Sequence, residues 1–157
     1  MKRWIALLVS VLPLAGCTIA TPFKGPGYEP QKGITLAAVD TVYVGLTLAE
    51  LKEDRELQAK FWYHVRKVED SLETLPGFVG YSKRTRLFGN QAWTMTVWTD
   101  EESLDRFVQS EVHQTAIRES MEAIESASFA RVALKREEIP ISWEDALAIL
   151  DAQNGRY

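Results

Sequence analysis

Apolar and polar residues alternate over residues 41–48, placing Val42, Val44, Leu46 and Leu48 on one face of a strand and Thr41, Tyr43, Gly45 and Thr47 on the other. From about residue 53 to 75 the period lengthens: Leu57, Phe61, Val65, Val68, Leu72 and Leu75 recur every three or four positions, the apolar stripe of a helix ended by Pro76-Gly77. Residues 78–87 and 92–99 are β-prone runs around Phe88-Gly89-Asn90-Gln91, which predicts an antiparallel hairpin turning at Gly89-Asn90. Thr99-Asp100-Glu101-Glu102 has the Thr-x-x-Glu form of a capping box and opens a second helix carrying Leu104, Phe107 and Val108. A fresh start at Ser110 continues the helical spacing through Val112, Ala116, Ile117, Ile124 and Ala127. Residues 129–135 read as a fourth strand, Pro140 breaks the chain, and Ser142-Trp143-Glu144-Asp145 caps a short last helix through Leu150. The predicted order is β-α-β-β-α-β plus a C-terminal helix, a ferredoxin-like α+β fold with an antiparallel four-stranded sheet.

The N-terminal region follows a different logic. Met1-Lys2-Arg3 is a short positive segment, residues 4–12 are apolar apart from Ser10, and Ala15-Gly16 are small, the pattern of a secretory signal. The stretch falls short of the roughly 20 residues that a spanning helix needs. Leu14-Ala15-Gly16-Cys17 resembles the lipobox of bacterial lipoproteins, in which the cysteine is acylated and becomes the first mature residue. That resemblance implies acyl chains on Cys17 as a membrane anchor, at about 0.8 kcal/mol per buried CH₂. With Thr18 rather than an aspartate after the cysteine, it also implies delivery to the outer membrane of the cell envelope, facing the periplasm. The plain alternative is a signal peptide that ends beside a free cysteine. Residues 17–35, with Pro22, Pro26, Pro30, Gly25, Gly27 and Gly33, read as a flexible tether of roughly 25 Å reach. Residues 36–157 then form one domain.

Composition narrows the chemistry. Against 22 acidic side chains stand 18 basic ones, of which 16 remain after the signal is removed, so the mature net charge is −6 and nucleic acid is not an expected partner. A single cysteine excludes an internal disulfide and a cysteine-rich metal site, and with two separated histidines no metal is expected.

Leu75-Pro76-Gly77-Phe78-Val79-Gly80-Tyr81, Trp93-Thr94-Met95-Thr96-Val97-Trp98 and Glu102-Ser103-Leu104-Asp105-Arg106-Phe107 together resemble the antibiotic-biosynthesis monooxygenase superfamily of dimeric α/β barrels. The resemblance covers about residues 41–134. It implies a homodimer whose two sheets close into one barrel, and a small-molecule cavity between sheet and helices in each subunit. It also implies the range of activities found there: cofactor-independent oxygenases, quinol oxidases and haem-degrading enzymes. Against haem, the position matching the iron-ligating histidine is Ile117, and the asparagine expected on the first strand falls near Val44. No cofactor is therefore expected.

Within this frame His113 is the candidate catalytic base. It lies on the inward face of a helix from Ser110, in the first turn, where the helix dipole disfavours the imidazolium. The alternative is a buried histidine satisfied by a structural partner. Trp98, Tyr81 and His64 are candidate ligand-binding residues; each has a plain alternative, an aromatic core pair for the first two and a solvent-reaching ring for the third. A hairpin turning on Gly89-Asn90 alone would oppose Arg86 to Trp93 and Tyr81 to Trp98, with Val79, Tyr81, Lys83, Thr85 and Trp98 on one face. Arg84 and Arg86 could then receive an anion, or Arg86 could lie over Trp93. Two functions compete: a lipid-anchored protein that binds, or oxidises, a small aromatic or quinone-like molecule, and a non-catalytic binding or assembly lipoprotein that keeps only the fold. The first requires a polar group in an open apolar cavity; the second fills that space with side chains.

Overall fold

The computed structural model describes residues 17–36 and 39–154, so the expected signal peptide lies outside the described residues. A short strand β1 (Thr18–Ala20) and a small hairpin, β2 (Tyr28–Glu29) and β3 (Gly33–Ile34), precede the first long strand, β4 (Thr41–Leu51). Then come α1 (Arg55–Leu72), β5 (Phe78–Arg86), β6 (Gln91–Trp98), α2 (Glu101–Gln109), α3 (Glu111–Ser120), β7 (Ile124–Lys135) and α4 (Trp143–Asn154). The main sheet runs β1-β5-β6-β4-β7, antiparallel throughout, which is the expected ferredoxin-like four strands with β1 added at one edge.

Local chemistry sets the boundaries. The Asp54 carboxylate accepts the amides of Glu56 and Leu57 at 2.9 and 3.0 Å and starts α1. After α1, Gly77 takes φ +79°, and a Cβ there would stand 2.2 Å from Ser103 Oγ, so the turn admits glycine on two counts. The cap of α2 is Asp100 rather than Thr99: its carboxylate accepts the Ser103 amide at 2.7 Å, while the Thr99 hydroxyl donates to that same carboxylate at 2.7 Å. A charged acceptor outcompetes the neighbouring hydroxyl for the helix amides. Helix α3 stops at Ser120, short of the expected 127, because Ile124 already opens β7 opposite Leu51, and the ladder to β4 runs from there to the Thr41–Lys135 pair.

The hairpin loop holds four residues rather than two, so Arg84 opposes Trp93 and Lys83 opposes Thr94. A slip of two residues keeps every side chain on its expected face, since the pleat repeats every two. Only the bulge between Phe78 and Gly80 disturbs the grouping: Phe78 joins Trp98 and Tyr81, and Val79 goes to the opposite face.

Two corrections concern the ends of the chain. Residues 17–35 are not a free tether. Thr18, Ile19 and Ala20 pair with Arg86, Thr85 and Arg84, Lys24 and Tyr81 exchange backbone hydrogen bonds of 3.0 and 2.8 Å, and Gly27 donates to Val79 at 3.0 Å. Gly25 and Gly80 allow this approach: a Cβ on Gly25 would fall 2.3 Å from Gly80 Cα. The Arg136 guanidinium secures the arm further by donating to the carbonyls of Leu36 and Ile34. The composition that reads as a tether, proline and glycine with few aliphatics, here serves close backbone packing.

The second correction concerns the sheet face opposite α1, α2 and α3. It was expected to stand open for a barrel dimer, but α4 and the arm cover it. Val42, Val44, Leu46, Val79, Met95 and Val97 are buried there with Ala146 and Leu150 of α4, flanked by Phe23, Leu36 and Trp143. Ser142 caps α4 by accepting the Asp145 amide at 3.0 Å, and the Trp143 indole donates to Ser82 Oγ at 3.2 Å. At the far end of α4, Gln153 accepts the Arg131 amide at 3.2 Å and donates to the Arg131 carbonyl at 2.9 Å along the outer edge of β7. A second copy could reach this face only by displacing α4 and the arm.

Candidate functional site

The helix side of the sheet gathers aromatic residues. Trp98, fully buried at the end of β6, stacks on Phe107 of α2 with ring centroids 4.9 Å apart and planes at 23°. Phe107 in turn touches the imidazole of His113 at 4.5 Å, and Phe78 meets Trp98 at 5.2 Å and Tyr81 at 6.3 Å. Leu72, Leu104, Tyr43, Val68 and Val108 complete this cluster. Three of the candidates, Trp98, Tyr81 and His113, thus belong to one aromatic chain with Phe107 and Phe78 between them. His64 does not join it; its ring meets Tyr63, which is 48% exposed, at 5.2 Å.

His113 follows the Ser110 cap, whose hydroxyl accepts the His113 amide at 3.4 Å. Its Nδ1 lies 3.1 Å from the Val108 carbonyl. A carbonyl only accepts, so in the neutral ring Nδ1 carries the hydrogen and Nε2 the lone pair. Burial pushes the pKa below the usual histidine value, and the Val108 bond offsets part of that. The resting ring is neutral and able to take a proton at Nε2. On the other side of Phe107, the Trp98 indole N–H is buried with no partner among the described residues.

The space between sheet and helices at this point is filled by these rings, and clefts open elsewhere. One of about 380 Å³ lies between α1 and the end of the β5–β6 hairpin, walled by Trp62, Gln58, Arg86 and Asn90. Lys83 also borders it but is committed to Glu69, at 2.7 Å. Arg86 contributes a buried Nε without a partner, a feature that the sequence marked only as a possible anion contact. The stacking expected between Arg86 and Trp93 is made by Arg84, whose guanidinium lies 5.6 Å from the ring centroid, as the two-residue register shift requires. A second cleft, about 170 Å³, lies between the arm and the start of α4, beside Phe23 and Trp143. Neither cleft is lined by His113, Trp98 or His64.

Among the described residues, no group of three His, Cys, Asp or Glu side chains is placed to hold a metal. The residues present do not fit haem: the position that the resemblance gives to the iron ligand is Ile117, whose side chain has no donor atom.

Comparison with known proteins agrees with this architecture. Residues 46–119 match the family model described as antibiotic biosynthesis monooxygenase. Among solved structures, a monooxygenase candidate from Lactobacillus acidophilus is 21% identical with a TM-score of 0.51, the match covering 62% of this chain and 48% of that one. This chain therefore spans about half the length of that relative. A conserved protein from Methanosarcina mazei, 15% identical, gives a TM-score of 0.51 over 62% of this chain and 94% of its own. A cofactor-independent oxygenase from Streptomyces nogalater, 18% identical, gives 0.50 over 64% and 98%. At these identities the likeness is one of fold. No curated protein matches the sequence.

Proposed function

We propose that this chain is a lipid-anchored protein of the bacterial envelope, held by acyl chains on Cys17 and facing the periplasm, whose monooxygenase-like domain works as a non-catalytic binding or assembly module. The observation behind the second half is the Trp98–Phe107–His113 stack, which packs between sheet and helices where the family resemblance implies a small-molecule cavity. The other sheet face is closed as well, by α4 and the arm. What the module offers a partner is therefore its surface, including the cleft beside Trp62 and Arg86. The anchoring half rests on the lipobox-like Leu14-Ala15-Gly16-Cys17.

A specific observation favours a second reading, oxidation of a small aromatic or quinone-like molecule without a bound cofactor: His113 is neutral and has a free Nε2 beside an aromatic wall. For that chemistry Phe107 would have to swing aside and admit substrate. Oxygen consumption by the purified protein with a panel of phenols and hydroquinones separates the readings. The binding module gives no turnover above the spontaneous rate. Turnover lost in His113→Ala, with the melting temperature kept, would establish the oxygenase instead. Cell fractionation of Cys17→Ser tests the anchor, and unchanged partitioning into the membrane fraction would overturn it.

A further inference from the structure

The end of the sheet that carries Cys17 also carries an exposed apolar cluster. Leu87 donates its amide to the Cys17 carbonyl at 2.9 Å, which extends the β1–β5 ladder by one pair beyond Thr18–Arg86 and sets Cys17 directly opposite Leu87. Cross-strand partners share a face, so the Cys17 thiol projects on the same side as Leu87, with Ile19 as the diagonal neighbour. Ile19 is 55% exposed, Leu87 49% and Phe88, next in the loop, 63%, while Cys17 itself is exposed. These three account for half of the large hydrophobic side chains exposed on the described surface.

The charges are arranged to match. Arg84 and Arg86 of β5, next to this tip, make no salt bridge among the described residues, whereas Lys83 is paired with Glu69 and Glu50 stands opposite Gln91 across the ladder. The apolar tip thus has two arginines beside it at the point where the anchor would leave the fold. No slack separates the two, because β1 begins at Thr18 and the preceding residue is already hydrogen-bonded to Leu87.

From this we infer that the tip formed by Ile19, Leu87 and Phe88 is a membrane-contacting surface, seated in the headgroup region of the bilayer beside the acyl chains of Cys17, with Arg84 and Arg86 near anionic headgroups. The domain then rides flush on the membrane in one orientation, β5–β6 loop down. An apolar side chain at the interface adds its buried area to the anchor, and each nearby cation adds electrostatic attraction to anionic lipid. The inference rests on the anchoring reading, since the tip by itself is too small to hold the protein.

The test uses the full chain, expressed with its own signal and purified into vesicles of phosphatidylethanolamine and phosphatidylglycerol. With Cys17 acylated, Phe88→Cys supplies the only free thiol and is labelled with a polarity-sensitive fluorophore; Phe129→Cys, on an exposed position of β7, is the control. The expected result is blue-shifted emission at position 88, quenched several-fold more by spin-labelled lipid than at 129. Water-like emission at both positions on a protein whose intact mass includes the acyl chains would overturn the membrane-seated tip and leave the anchor standing. An intact mass without acyl chains would overturn anchor and tip together.

Discussion

The two faces of this sheet are built from different materials. Toward α1, α2 and α3 the packing is aromatic and carries polar ring atoms, the Trp98 indole and the His113 imidazole. Toward α4 it is mainly aliphatic, with Val42, Val44, Leu46, Met95 and Val97 against Ala146 and Leu150. The first face is made, apart from Tyr43, within residues 46–119, which match the monooxygenase family model, whereas the second is closed by pieces outside that match, the arm before and α4 after. A fold described as half of a barrel can be completed by a second copy or, as here, by its own termini.

Ending the chain after Pro140 removes α4 and should have the largest effect. With Val44, Leu46 and Val97 uncovered, the shortened protein should associate or unfold, while the Cys17→Ser mature chain sediments as a monomer at micromolar concentration. Equal sedimentation of the two would break the comparison. On the aromatic face, Trp98→Ala should cost about 3–5 kcal/mol in denaturant unfolding, and on the aliphatic face Leu150→Ala about 2–5 kcal/mol. If the sheet insulates one face from the other, the double variant should equal the two single losses within about 0.5 kcal/mol, and a larger discrepancy would mean that the faces are coupled. Ser142→Ala, which removes the α4 cap, should cost about 1 kcal/mol and leave the near-UV spectrum of the aromatic cluster unchanged.

The smallest effect is a pH dependence. Below its ordinary pKa of 6.5, His113 in the unfolded chain takes up a proton that the buried ring refuses. Its contribution to stability is therefore full above 6.5 and is lost as the pH falls through the lower folded pKa. The melting temperature should decline over this window in the wild type and less in His113→Phe. Asp100, whose carboxyl is held below its usual 3.8 first by the Thr99 hydroxyl, loses its own contribution only in more acid solution.

The elements that were legible in the chain are those with a long period. Alternation over residues 41–48 and the stripe from Leu57 to Leu72 each repeat often enough to outvote local exceptions. Ile124 and Ala127 failed as helix markers because the bulge between Glu50 and Leu51 sets two residues three apart opposite Leu51 and Ala49, on one face of β4. The aromatic cluster was legible as a group of residues, since strand parity and helix phase both pointed Trp98 and His113 inward. Its packing was not, because whether Phe107 lies between them depends on the angle of α2 and not on spacing. The arm escaped notice for a related reason: Thr18-Ile19-Ala20 is too short to show a period, and its pairing depends on an edge of β5 sixty residues away.

One side chain on α4 reaches past its own face to the rim of the sheet. The amide of Gln153 offers Arg131 the same donor and acceptor that a peptide group of an adjacent strand would offer. A twelve-residue outer strand such as β7 is otherwise a template for sheet extension by any extended chain that meets it. With a counterfeit peptide unit plugged into its middle, an incoming strand finds its ladder interrupted after a few residues. The opposite rim ends in β1, only three residues long. These two blunted rims leave an incoming strand little uninterrupted ladder on either side of the sheet.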